Sequence, residues 1–223
     1  KDKESSNLVM MVPTYLKNNY NDETIFSEEV DDLHFAVNYS TNNKIYGRRV
    51  FYSKNCEDII KRFEQSKDQH YQGRVGQKFE QNTEIKKSTD MVVSGKEDWK
   101  DIDDLLFTSL AKALSGIKKQ YNFFNGPFKD IGYAVQRTMP GEYYHWHIDS
   151  GSHQFSDRQL VAIWYLNNVE GPGGETEFLN QEVKIKPEIG KLILFPPFWT
   201  HEHRGVKLQK GIKYIATTWV VFK

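Results

Sequence analysis

From Ile131 onward the chain breaks into eight segments of strand length, each with β-branched or aromatic content, punctuated by glycine and proline turns. The segments are Ile131–Arg137, Tyr143–His147, Leu160–Leu166, Thr176–Phe178, Glu182–Ile185, Leu192–Phe195, Glu202–Val206 and Ile212–Phe222. Pro140-Gly141, Gly171-Pro172-Gly173-Gly174, Pro187 to Gly190 and Pro196-Pro197 punctuate them. No helical crossover separates these strands, so a parallel α/β sheet is disfavoured. Short strands with helices segregated upstream predict a mainly β, α+β fold, a double-stranded β-helix or jelly roll buttressed by N-terminal helices.

The upstream half is mixed. Leu8–Leu16 reads as a short strand, and Glu57–Lys67 as a short helix on Ile59, Ile60 and Phe63. Trp99–Tyr121 carries the clearest helical stripe, Ile102, Leu105, Leu106, Leu110, Ala113, Leu114 and Ile117, with Asp98 as expected N-cap. Gly116 predicts a bend or an early end. Between the helices, Asp68–Lys96 is polar and poor in large apolar residues, and reads as a solvated hairpin or mobile loop that becomes a lid if it flanks a site. At 223 residues the chain suits one domain, with 1–130 as support and 131–223 as the jelly-roll core.

Charge and composition restrict function. Thirty basic residues balance thirty acidic ones, which supplies no bulk field for nucleic acid. Among the described motifs none approaches the ~20 apolar residues of a membrane span, and the polar start Lys1–Asn7 is no signal peptide. The single cysteine, Cys56, reads as a small residue packed beside a helix start and fits a reducing, cytoplasmic setting.

The segment Gly141 to Asp149 carries the chemistry. Residues i and i+2 of a strand share a face, so His147 and Asp149 aim an imidazole and a carboxylate at one point. A second histidine from a distant strand would complete two imidazoles, one carboxylate and open positions, the donor set of non-haem Fe(II) oxygenases. His201, after Phe195-Pro196-Pro197-Phe198-Trp199-Thr200, is the favoured third ligand. His145 and His203 share strand parity with these residues and stay open, as rival ligands or as groups that orient them. Lys213 lies in an otherwise apolar run with Ile212, Tyr214, Ile215 and Trp219, where a buried ammonium needs an anionic partner. The alternative is a solvent-facing lysine. Trp219 shares its parity, so both point inward or both outward.

Residues from about Ile131 onward resemble the prolyl 4-hydroxylase-like branch of the 2-oxoglutarate/Fe(II) dioxygenases. The resemblance rests on Gly141 six residues before His147, on Ile163-Trp164-Tyr165-Leu166-Asn167, and on Gly173-Gly174-Glu175-Thr176. It continues through Phe195-Pro196, His201, Lys213 and Trp219, and more faintly in Val12-Pro13-Thr14-Tyr15-Leu16. Thr138 stands where many members have tyrosine, Gly205-Val206 replaces Pro-Val, and the spacing from His201 to Lys213 is longer than usual.

The resemblance implies a dioxygenase that hydroxylates a C–H bond and decarboxylates 2-oxoglutarate to succinate. Its cofactors would be Fe(II) and 2-oxoglutarate, with ascorbate as a further one open to it. Position by position, His147, Asp149 and His201 become the iron ligands, Lys213 the anchor of the 5-carboxylate, and Tyr165 a second contact to it. O₂ and a peptide, with prolyl as one option, or a small molecule would be the partners, with no membrane. Nucleic-acid repair is disfavoured because Lys213–Lys223 lacks arginine. Tyr143, Trp146 and Trp219 are expected on the substrate-facing wall. A zinc hydrolase or lyase on the same ligands and a cupin-like binding module are the rival readings.

Overall fold

A computed structural model describes residues 45–76 and 78–223. The strand expected at Leu8–Leu16 and the motif at Val12–Leu16 lie outside the described residues.

Alternating burial explains why the C-terminal strands read as apolar runs. The strands are β1 (Tyr46–Arg49), β2 (Tyr71–Gln72), β3 (Arg74–Val75), β4 (Glu80–Gln81), β5 (Lys86–Lys87), β6 (Thr89–Val92), β7 (Phe128–Asp130) and β8 (Ala134–Thr138). They continue with β9 (Tyr143–His147), β10 (Arg158–Tyr165), β11 (Thr176–Phe178), β12 (Val183–Ile185), β13 (Lys191–Phe195), β14 (His203–Gly205) and β15 (Lys213–Phe222). Helices α1 (Ser53–Gln65) and α2 (Lys100–Gln120) precede β7.

One antiparallel sheet runs β1-β13-β10-β15-β8-β6-β2, with β7 also on β15, and a second runs β12-β11-β14-β9-β5. The first sheet is buried on both faces. Leu160, Ala162 and Trp164 of β10, with Leu192 and Leu194 of β13, pack against Cys56, Ile59 and Phe63 of α1 and Ile102, Leu106, Leu110, Leu114 and Ile117 of α2. The intervening Val161, Ile163 and Tyr165, with Ile193, Phe195 and Ile215, pack inward against Phe178, Val183 and Ile185 of the second sheet. A strand covered by helices on one side and by a sheet on the other has no polar face to show. Trp164 ties the layers together, because its fully buried indole N–H donates to Ser109 Oγ on α2 at 2.9 Å. Among the described residues no helix is long and apolar enough to cross a membrane.

Three expectations change. The long helix begins after a 3-10 turn, Glu97–Trp99, so Asp98 lies within that turn and the N-cap is Trp99, without a side-chain cap. Gly116 does not end α2, which runs to Gln120 with Leu114 and Ile117 buried. The segment 68–96 contains the expected solvated hairpin, β3 with β4, but it is not a free loop. It forms β2 to β6, with β6 joining β8 in the larger sheet and β5 joining β9 in the smaller one. Cys56 matches its expectation: it is fully buried in the first turns of α1, and burial pushes its thiol up to about 12.

A buried ion pair pins segment 68–96. Lys86 Nζ lies 2.7 Å from Asp90 Oδ2, both side chains being almost wholly enclosed, and Ser88 Oγ donates to Asp90 Oδ1 at 2.6 Å. Asp90→Ala would leave the ammonium enclosed without its counter-ion, and is expected to cost about 3–5 kcal/mol. Urea or thermal denaturation checks this, and a loss below 1 kcal/mol would mean that water reaches Lys86.

Candidate active site

The centre of the site is a cross-strand meeting. In the pairing of β14 with β9, His203 is the direct partner of His147. Asp149 follows two residues after His147, where β9 has ended and the backbone N–H groups of Asp149 and Ser150 both donate to Pro197 O, at 3.0 and 2.9 Å. The carboxylate therefore returns to the face that β9 presents. One ligand atom from each of His147, Asp149 and His203 falls within 4.8 Å of the others. Asp149 Oδ2 is 3.9 Å from His147 Nε2 and 3.3 Å from His203 Nε2.

The expectation of His201 as third ligand is corrected here: the group that gathers is His147, Asp149 and His203. His201 sits in a 3-10 turn, Trp199–His201, that ends before β14 begins. Strand parity does not extend back through that turn, so its ring leaves the shared face. Its Nδ1 meets Thr200 Oγ1 at 3.0 Å, and its buried Nε2 has no hydrogen-bond partner. The rival His145 is exposed, with Nδ1 accepting from the Trp146 N–H at 2.8 Å, and is not in the group.

Surrounding bonds set each donor atom. His147 Nδ1 lies 2.7 Å from His145 O, and His203 Nδ1 lies 2.9 Å from His201 O. A carbonyl can only accept, so each Nδ1 carries a proton, and each ring turns its Nε2 inward toward Asp149. Burial holds the His147 imidazole in the neutral, ligating form, lowering it to about 3, and the neighbouring His203 adds to this. Burial works against ionisation of Asp149, but His203 and His147 outweigh it and keep the carboxyl well below the ordinary carboxylate range. Tyr144 stacks on His147 at 3.6 Å between ring centroids and closes one side.

Two residues brace Asp149. Trp219 Nε1 donates to Asp149 Oδ1 at 3.1 Å, leaving Oδ2 for the two imidazoles. Arg158 Nη1 donates to Asp149 O at 2.7 Å, and its guanidinium lies between the rings of Phe155, at 3.8 Å, and Trp219, at 4.1 Å. Trp219 thus serves as more than wall. Arg158 escapes sequence reading because its targets are a backbone carbonyl, the nearby Phe155 ring and the Trp219 ring far along the chain. Arg158→Ala is expected to weaken Fe(II) or Mn(II) binding about 10–100-fold, as loss of groups behind a metal ligand does. A metal titration with an unchanged dissociation constant would assign Arg158 to packing alone.

The cavity beside these residues is lined from both sheets and from segment 68–96. Lys213, Ile215, Thr217 and Trp219 of β15 face into it on alternate positions, with Thr138 of β8, Thr176 of β11, Tyr143 and Tyr144 of β9, and Arg74, Lys86 and Lys87. Lys213 points inward, not to solvent, and burial pulls its ammonium down to about 8, partly offset by Glu175. Gly173 and Gly174 make the turn that sets β11 beside it: both have positive φ, and a Cβ on Gly173 would strike Lys207 O. Tyr165 lies one layer behind. Its hydroxyl donates to Thr176 Oγ1 at 2.7 Å, and Thr176 faces the cavity in its place. Tyr143 lines the cavity as expected, whereas Trp146 does not and instead stacks under Arg204 at 4.6 Å.

Comparison with known proteins follows the same residues. The family profile described as the 2OG-Fe(II) oxygenase superfamily matches residues 133–221. A curated protein of Acanthamoeba polyphaga mimivirus, whose name assigns it provisionally to the prolyl 4-hydroxylases, is 34% identical over 115 residues, covering 43% of this chain and 47% of its own length. The chain thus spans about half the length of that relative. In fold, the chain is similar to the viral collagen prolyl hydroxylase of Paramecium Bursaria Chlorella virus-1 in its 2OG complex (TM-score 0.60, 20% identity, 82% of this chain and 97% of that one). It is also similar to a Trichoplax adhaerens prolyl hydroxylase solved with a hypoxia-inducible-factor peptide (TM-score 0.64, 20% identity, 81% and 84%). A Pseudomonas putida prolyl-4-hydroxylase gives a TM-score of 0.63 at 16% identity, over 81% and 94%.

That superfamily implies Fe(II) and 2-oxoglutarate. The residues present fit both. Two imidazole nitrogens and one carboxylate oxygen converge, and a buried lysine without an ion-pair partner among the described residues faces the same cavity.

Proposed function

We propose that the chain is an Fe(II)- and 2-oxoglutarate-dependent dioxygenase that hydroxylates a C–H bond of a peptide, with a prolyl residue as the leading candidate. The observation that carries the reading is a single cavity holding His147, Asp149 and His203 at one point and the enclosed Lys213 at another. In the proposed reaction one oxygen atom of O₂ enters the substrate C–H bond, the other enters succinate, and 2-oxoglutarate loses CO₂. A bound ferrous ion supplies the redox chemistry of O₂ activation.

The chain's own groups do the rest. His147 Nε2, an Asp149 carboxylate oxygen and His203 Nε2 would hold the ion on one face and leave the opposite face for cosubstrate and O₂. Lys213 would pair with the distal 5-carboxylate of 2-oxoglutarate, which offsets the cost of its own enclosure. Thr176 and Thr138, facing the same space, offer hydroxyls to that carboxylate. Tyr165, through its bond to Thr176, orients one of them. Ile215, Val161 and Ile163 keep the space between these groups apolar and exclude water. The prolyl candidate is supported by the names of the mimivirus relative and of the structural neighbours.

The test is succinate release. Fe(II)-loaded protein should convert 2-oxoglutarate to succinate only in the presence of O₂, and faster with an acceptor peptide. Zn²⁺ in place of Fe(II) should give none. Oxygen-independent turnover, or none with any metal, would contradict the proposal.

A further inference from the structure

Segment 68–96 brings to the cavity an excess of positive charge that the proposed chemistry leaves unused. Arg74, Lys86 and Lys87 from this segment line the cavity together with Lys213, whereas Asp149 is the only carboxylate among the lining residues. The charges at the reacting centre cancel: a metal dication, one carboxylate, the 2-oxoglutarate dianion and the Lys213 ammonium sum to zero. Lys86 is neutralised by Asp90 at 2.7 Å. Arg74 and Lys87 remain.

Neither Arg74 nor Lys87 takes part in an ion pair among the described residues. Both lie over aromatic rings, Arg74 at 5.0 Å from the Tyr71 centroid and Lys87 at 5.7 Å from that of Tyr143. Such contacts orient a cation without cancelling its charge. Tyr143 is in turn held by the segment, its hydroxyl donating to Thr83 O at 3.1 Å. Both cations are exposed, whereas His203 and Lys213 are enclosed, so the charge stands at the mouth and not at the reacting atoms. A carboxylate there belongs to a group some way along the substrate from the carbon that reacts. An acidic side chain of a neighbouring peptide residue meets that requirement better than the α-carboxylate of a free amino acid.

We propose that Arg74 and Lys87 form a substrate subsite that selects peptides with an acidic residue near the hydroxylated one; this rests on the dioxygenase reading and names its substrate class. The test measures equilibrium binding of three labelled peptides, a proline flanked by Glu, by Ser or by Lys, to protein loaded with Mn(II) and N-oxalylglycine. The Glu peptide should bind about tenfold more tightly than the Ser peptide, the scale of two exposed ion pairs. The advantage should shrink between about 0.05 and 0.5 M salt. The double variant Arg74→Glu/Lys87→Glu should reverse the order in favour of the Lys peptide. Equal affinities for the three peptides, no binding of any, an unchanged order in the variant, or free glutamate competing as well as the Glu peptide would each overturn the subsite. Succinate release, measured alongside, separates the two claims. Peptide-stimulated succinate without charge preference removes only the subsite, and charge preference without succinate removes only the dioxygenase.

Discussion

His203→Ala is expected to abolish tight Fe(II) binding and succinate formation, while His201→Ala leaves metal affinity within about threefold of the parent. The two residues are separated by one position and offer the same ring, so the pair of variants isolates geometry from composition. His203 faces His147 across the β9–β14 ladder and brings Nε2 to 3.3 Å from Asp149 Oδ2. Loss of that ring removes one of three ligands, an effect larger than the 10–100-fold typical of groups behind the ligands. His201 is enclosed, and its removal leaves a small void in the turn, so a loss of about 1–2 kcal/mol in stability is expected without loss of metal. Metal titration with denaturation of both variants separates these effects. A His201→Ala protein that no longer binds metal would reverse the assignment.

Lys213→Ala is expected to raise the dissociation constant for 2-oxoglutarate by about 30-fold to several thousandfold. That range corresponds to roughly 2–5 kcal/mol for truncating one partner of an enclosed, hydrogen-bonded charge pair. Lys213→Arg should be milder, since the guanidinium keeps the charge. A pH dependence distinguishes the charge from mere packing. In the free protein burial lowers the Lys213 ammonium to about 8. The dianion binds the protonated form, so affinity is full below that pH and falls as pH rises through it. Between pH 7 and 9 the dissociation constant should rise about tenfold. In Lys213→Arg, whose side chain stays charged, the same interval should be flat. A parent protein with no pH dependence there would detach Lys213 from the cosubstrate.

How far the sequence reaches can be seen residue by residue. Strand identity was legible because the period of two survives even where both faces are buried: Lys213, Ile215, Thr217 and Trp219 alternate into the cavity, and Tyr214, Ala216 and Val220 pack outward among the helices. His147 and Asp149 were singled out as an imidazole and a carboxylate two residues apart, although β9 ends at His147 and the bonds of Asp149 and Ser150 to Pro197 O, not strand period, return the carboxylate to the shared face. The third histidine stayed open between His201 and His203, and the distance from Phe195-Pro196 favoured His201. That distance does not reveal the 3-10 turn at Trp199–His201, which ends before β14 begins at His203. With His203 in place, Lys213 follows ten residues later instead of twelve, so the spacing that looked long from His201 is shortened. Segment 68–96 was read as solvated because its strands are two to four residues long and polar. Their order comes from neighbours that local sequence does not show, namely the β9 and β8 edges and the Lys86–Asp90 pair. Arg158 and Trp219 act on Asp149 through contacts 9 and 70 positions apart in the chain.

The central claim is that His147, Asp149 and His203 hold one metal ion beside a 2-oxoglutarate pocket ended by Lys213. A crystal structure with Mn(II) and N-oxalylglycine tests it most directly. The expected result is one ion bonded to His147 Nε2, an Asp149 carboxylate oxygen and His203 Nε2, with the far carboxylate of N-oxalylglycine paired to Lys213 Nζ. An ion bonded to His201 with His203 free, or N-oxalylglycine bound away from Lys213, would contradict it.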